Sequence, residues 1–103
     1  MAVTNVTTMT VHDLASWNQM MENTKKSKAI LEKHGAKNVR MLLPVSGGTP
    51  SGTAHSTFEA DDLTSLGKIL DAIYADPEMI ALMESAGDSG TTWVTSVHME
   101  MPL

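Results

Sequence analysis

The stretch VRMLLPVSGGTPSGTAHSTFEA, residues 39–60, decides how the chain folds. Two β-favouring runs, NVRMLLPV and TAHSTFEA, flank the Gly-, Ser- and Pro-rich SGGTPSG, which is the pattern of a hairpin. By period-2 alternation Val39, Met41, Leu43 and Val45 share one face of the first run, with Arg40, Leu42 and Pro44 on the other. In the second run Ala54, Ser56, Phe58 and Ala60 oppose His55, Thr57 and Glu59. Pro44 has no N–H for a ladder, so its strand is expected at a sheet edge or bulged near its end. Gly47-Gly48 is not a phosphate loop, because no Lys-Ser/Thr follows and the next element is a strand. Residues 46–52 are expected to form a mobile hairpin tip, with a lid over a pocket as the alternative.

Working outward, each side of the hairpin carries one helical stretch and one further strand. A strand rich in Thr and Val is expected over 3–11. A helix follows over 13–34, with Asp13 as N-cap and Gly35 where a C′ glycine ends it. Its apolar positions Leu14, Trp17, Met20, Met21, Ile30 and Leu31 define a buried stripe, interrupted by a polar middle at 23–27. After the hairpin, a second helix begins at Asp61 or Asp62 and carries Leu63, Leu66, Ile69, Leu70, Ile73 and Tyr74. Asp76-Pro77 breaks it, and a short helix over 78–86 precedes the last strand, 91–101. The order β-α-β-β-α-β gives an α+β, ferredoxin-like domain spanning residues 1–103, with a four-stranded antiparallel sheet in the strand order 4-1-3-2.

Composition limits function. The 103 residues hold no cysteine, which removes disulfides, thiolate metal sites and cysteine nucleophiles. A net charge of −5 argues against nucleic acid or an anionic membrane as partner, since both need a cationic footprint. No apolar run approaches a membrane span and the N-terminus has no signal-peptide pattern, so a soluble, uncleaved cytoplasmic protein is expected. Six of the seven basic residues nevertheless lie between Lys25 and Arg40, and nine of the twelve acids lie from Glu59 onward. Helix dipoles account for that asymmetry, and complementary patches on two subunits are the other reading.

One sheet face is expected to be apolar and to meet the helices, through Val3, Met9, Met41, Leu43, Phe58, Trp93, Val97 and Met99. The opposite face mixes Arg40, His55, Thr57, Glu59, His98 and Glu100 with Val6, Leu42 and Val94, a composition suited to a wet contact with a second sheet. As an acid–base set its two histidines and two carboxylates would have to converge, and strands 4 and 3 are about 10 Å apart with strand 1 between them. Metal binding by His98 with Glu100, or by His55 with Glu59, is a further reading of the same residues. His12 and His34 fall at element ends and are expected in solvent. Nine methionines are many for this length; they read either as plain core or as the walls of a deformable apolar cavity. Such a cavity would be bounded by Trp17, Met21, Phe58, Tyr74 and Trp93, with Asn5 as its polar group.

The whole-chain order, with STFEADDL at 56–63 and ADPEMIALM at 75–83, resembles the dimeric α+β barrel superfamily, nearest to its antibiotic biosynthesis monooxygenase and NIPSNAP-like members. The resemblance implies a homodimer in which two sheets form a barrel with helices outside and a pocket in each subunit. Cofactor-free oxygenases and haem-degrading members use an Asn on the first strand, which Asn5 matches, and a Trp near the end of the third, where this chain has Phe58. The haem enzymes add a His on the second helix, where this chain has none; no cofactor, haem or metal is expected. The leading expectation is a homodimer that binds a small, largely apolar molecule such as a fatty acid or an aromatic, with no catalytic residue assigned. A cofactor-independent monooxygenase, cyclase or isomerase is the alternative, with Asn5 orienting substrate and His55 or His98 as base, and a structural or regulatory dimer without ligand is the third.

Overall fold

The computed structural model describes residues 2–44, 52–87 and 91–102. Its elements are β1 (Val3–Thr10), α1 (Leu14–Lys33), β2 (Lys37–Leu42), β3 (Thr53–Ala60), α2 (Leu63–Ala75), α3 (Pro77–Gly87) and β4 (Thr92–Met99). The strands form one antiparallel sheet in the order β2-β3-β1-β4, the ferredoxin-like arrangement expected from the chain order. β1 is central and pairs with β3 from Val3↔Ala60 to Thr10↔Thr53 and with β4 from Val3↔Met99 to Thr10↔Thr92.

Local chemistry sets the element ends. The Asp13 carboxylate accepts the Ser16 amide at 2.7 Å and the Asp62 carboxylate accepts the Ser65 amide at 2.7 Å, capping α1 and α2. Those backbone N–H bonds hold both carboxyls below the usual Asp range. Gly35 ends α1 with φ +98°, a conformation open to glycine at little cost.

β2 is an edge strand as Pro44 implies, but the irregularity lies elsewhere. The register shifts between Lys37 and Arg40, where Asn38 takes φ +50°, while Leu43 and Pro44 stand beyond the ladder. Asn tolerates the left-handed region better than most residues, which explains why the bulge forms there. The hairpin tip expected at 46–52 lies outside the described residues apart from Gly52.

The larger core joins Val3, Phe58 and Ala60 on the sheet to Ile30, Leu31, Leu66, Ile69, Ile73 and Met79 on the helices. A smaller one gathers Val11, Met20 and Ala54 with Met9, Trp17, Met21 and Met41 around them. The expectation that Trp93, Val97 and Met99 would meet the helices needs correction, since they remain 44%, 45% and 57% exposed. The helix layer makes its main sheet contacts on β2 and β3, so β4 is left at its margin. Among the described residues no helix is long and apolar enough to cross a membrane.

At the far end of α1, Asp76 ties three elements together. Its buried carboxylate accepts from Lys33 Nζ at 3.0 Å and from the Glu78 amide at 2.9 Å, and lies 2.7 Å from His34 Nε2. His34, expected in solvent, is therefore held in a tertiary contact. The hydrogen bonds from His34 and Lys33 press the Asp76 carboxyl well below the usual carboxylate range.

Candidate functional site

Between the sheet and the helix layer lies a cavity of about 190 Å³. β1 contributes Asn5, Thr7 and Met9, β3 contributes Ser56 and Phe58, and β4 contributes Trp93 and Thr95, all from the helix-facing side by strand alternation. α1 supplies Met20, Asn23, Thr24, Ser27 and Leu31, an i, i+3, i+4 stripe. Leu70, Ile73 and Tyr74 of α2 and Met79, Leu82, Met83 and Ala86 of α3 close the far wall. Among the described residues, no charged side chain and no histidine lines this space.

The polar groups in the wall are uncharged, and several are already bonded within the protein. Thr7 Oγ1 and Thr95 Oγ1 share a hydrogen bond of 3.1 Å across the sheet. Thr24 donates to the Met20 carbonyl at 2.8 Å, and Ser27 donates to the Thr24 carbonyl at 2.8 Å. Asn5 is only 4% exposed, opposite Phe58 on one side and Val97 on the other. Its Oδ1 is buried without a hydrogen-bond partner. Asn23 accepts from Gln19 Nε2 at 3.0 Å through its own Oδ1, while its Nδ2 is buried and unpartnered.

Of the side chains expected at such a cavity, Asn5, Phe58, Tyr74 and Trp93 line it. Trp17 and Met21 do not. They are one turn apart on the neighbouring stripe of α1, so Trp17 packs in the smaller core beside Gly52 and Met21 faces a groove over Val39 and Met41. The residues that replace them, Met20, Asn23, Thr24 and Ser27, include most of the polar middle of the helix. Their signal was present: hydrophilic positions fall in register with the apolar stripe at 20, 31 and the faces beside it.

His55 and His98 lie on the opposite face of the sheet. His55 Nδ1 is 3.0 Å from Thr8 Oγ1, and His98 Nε2 is 2.8 Å from Ser96 Oγ. They pair across β1 with Thr8 and Thr4. Four residues of strand rise, about 13 Å, therefore add to the width of the strand between them. The two histidines do not converge, and neither reaches the Asn5 cavity.

A second groove runs between α1 and β2, floored by Met21, Val39 and Met41 and rimmed by Lys25, Lys28 and Arg40. Lys25 and Lys28 are already engaged on the surface, with Glu22 at 3.4 Å and Glu32 at 2.8 Å.

No family model and no curated protein matches the chain. Solved structures do. An NIPSNAP family protein from Agrobacterium tumefaciens superposes with a TM-score of 0.78 at 7% identity, over 98% of this chain and 94% of that one. SnoaB, a cofactor-independent oxygenase from Streptomyces nogalater, superposes with a TM-score of 0.69 at 15% identity, over 99% and 95%. A dimeric ferredoxin-like protein of unknown function from Jannaschia gives 0.68 at 11% identity, over 93% and 98%. Identities this low speak for the backbone alone, and on that evidence the chain has the ferredoxin-like α+β fold shared by the antibiotic biosynthesis monooxygenase-like and NIPSNAP proteins.

Proposed function

We propose that the protein is a homodimeric α+β barrel whose subunits each bind a small, largely apolar molecule between sheet and helices. The observation that carries this reading is the uncharged cavity walled by Phe58, Tyr74, Trp93 and several methionines, with the buried Asn5 amide inside it. Unbranched methionines adapt to the outline of an apolar guest, and a single amide is enough to orient one. A cavity of about 150 Å³ is known to admit benzene, so a monocyclic or small bicyclic aromatic fits by size.

Dimerisation is supported from the other side of the sheet. Val94 is 71% exposed on a face that also presents Leu42, and β4 is uncovered on both faces. A second sheet stacked on that face would cover apolar surface that a monomer leaves in water. The Jannaschia protein of this fold is dimeric.

Binding, rather than turnover, is the reading we adopt, because acid–base chemistry at Asn5 would need a base and the histidines face away. Sedimentation velocity at micromolar concentration is expected to give a species of twice the chain mass. Titration with 4-ethylphenol or decanoate is expected to change tryptophan emission saturably, through Trp93 at the cavity wall. Phe58→Trp should fill the cavity and weaken that response. A monomer throughout would remove the barrel, and an unresponsive emission with a destabilised Phe58→Trp would replace ligand binding by a purely structural role.

A further inference from the structure

The cavity wall holds two polar atoms with no partner among the described residues, and they have opposite polarity. Asn5 Oδ1 accepts and Asn23 Nδ2 donates. They approach from opposite layers, since Asn5 is on the central strand and Asn23 is on α1. Buried amide groups without partners are costly, and native proteins keep few of them. Thr24 and Ser27 beside Asn23 donate their hydroxyl protons to the helix backbone, and one of Thr7 and Thr95 donates to the other. Asn5 Oδ1 and Asn23 Nδ2 are thus the fully buried side-chain atoms of the wall that a guest would have to satisfy, beside the more accessible Ser56 and Tyr74 hydroxyls.

Asn23 is also oriented from outside the cavity. Gln19, one turn earlier and exposed, donates its Nε2 to Asn23 Oδ1 at 3.0 Å. That bond fixes which end of the Asn23 amide turns inward, so the cavity sees an N–H donor rather than a carbonyl. A further constraint comes from charge. With no cation among the described lining residues, an ionised group placed inside would be desolvated without compensation.

We infer that Asn23, held by Gln19, is a specificity-determining residue of this cavity, and that the ligand is a neutral apolar molecule offering a carbonyl-type acceptor to α1 and a hydroxyl donor to β1. The inference deepens the binding reading above and rests on it. Of the two ligand kinds that an apolar cavity would take, it favours the aromatic over the fatty acid, whose carboxylate would have to remain at the mouth. Gln19 is a positioning residue: it does not line the cavity and acts through the Asn23 amide.

The test uses the whole protein and four related probes at mildly acidic pH, where the phenols are neutral: 4-hydroxyacetophenone, acetophenone, 4-ethylphenol and 4-hydroxybenzoate. Affinities come from amide chemical-shift titration. Wild type is expected to prefer 4-hydroxyacetophenone to 4-hydroxybenzoate by at least about tenfold, since the carboxylate has no counter-charge. Asn23→Leu should weaken acetophenone and 4-hydroxyacetophenone by about tenfold while leaving 4-ethylphenol within about twofold, because only the first two need the donor. Gln19→Leu should weaken the same two probes by a smaller factor. Its side chain touches no ligand, so an effect confined to carbonyl probes reports amide orientation and not lost packing. The urea midpoint of Asn23→Leu should match or exceed that of wild type, since it removes a buried N–H group without a partner and loses only an exposed bond from Gln19, whereas a structural Asn23 would lower it. Equal weakening of all probes, no weakening, or tight binding of 4-hydroxybenzoate would overturn the inference and leave a cavity that binds by shape alone. If no probe shifts the resonances of Asn5, Phe58 or Trp93, the binding reading itself falls and the inference with it.

Discussion

β3 and β4 flank β1 on either side, β3 inside the sheet and β4 at its edge, and they are opposite in burial. Each pairs with β1 over the same eight residues in the same antiparallel sense. Yet β3 is buried or half-buried throughout and β4 is exposed at every position. Ladder hydrogen bonds fix where a strand runs, but only what stacks on its faces removes its side chains from water. β3 lies under the helix layer and packs Phe58 into the larger core, whereas Trp93 on β4 stands at the cavity margin and Val94 faces outward with nothing over it. The cavity exists because of this asymmetry: the helices close over β3, and the space they leave toward β4 is where a guest fits.

The sharpest way to break the comparison is to truncate one side chain in each region. Ile69, 5% exposed on the face of α2 that packs into the larger core over β3, should cost about 2–5 kcal/mol when changed to Ala, by lost burial and a residual void. Val94→Ala should stay within about 0.5 kcal/mol in dilute solution, as exposed positions do. Urea unfolding at low and high protein concentration checks both. If Val94→Ala is as damaging as Ile69→Ala even when dilute, β4 is covered in the single chain and the contrast with β3 is wrong.

A smaller effect is expected at the junction that holds the helix layer over β3. Asp76 binds Lys33, His34 and the start of α3, and its carboxyl is held below the usual range. A depressed carboxyl stabilises the fold above its ordinary titration value, and that contribution is lost as pH falls below about 4. Asp76→Asn retains a capping oxygen but not the charge. Its urea midpoint should therefore lie below that of wild type at neutrality, with the gap narrowing toward about pH 3. A gap independent of pH would mean that Asp76 acts only as a helix cap.

Much of this was legible in the sequence because the signals were local. Asp13, Asp62 and Gly35 mark helix ends through bonds to residues within three positions, and alternation assigned faces to all four strands. Alternation says which face a residue occupies but not how far the helix layer extends across it, so it puts Trp93, Val97 and Met99 on the helix-facing side although the core does not reach them. The Asp76–His34 contact joins positions 42 residues apart, and no periodicity announces such a pair. At the cavity, Trp17 and Met21 drew attention by size and hydrophobicity, while the stripe that faces inward runs through Asn23 and Thr24. A polar residue on a buried stripe is the feature that a search for apolar walls passes over.

The smallest prediction runs in the stabilising direction and asks which surfaces a partner covers. Gly67 lies inside α2, where glycine is a poor helix former, and a Cβ built there meets nothing within 4 Å. Gly67→Ala should therefore raise stability by about 0.5–1 kcal/mol, mainly by restricting the unfolded chain. If a barrel forms through the outer sheet face, the helices stay outside it, so the gain should be the same at low as at high protein concentration. Substitutions at Val94, by contrast, should act mainly on association. A partner packed against α2 would reverse this, since the added methyl would meet it and the gain would vanish as concentration rises. Urea midpoints of Gly67→Ala across a dilution series therefore distinguish a subunit that docks on β4 from one that docks on the helices.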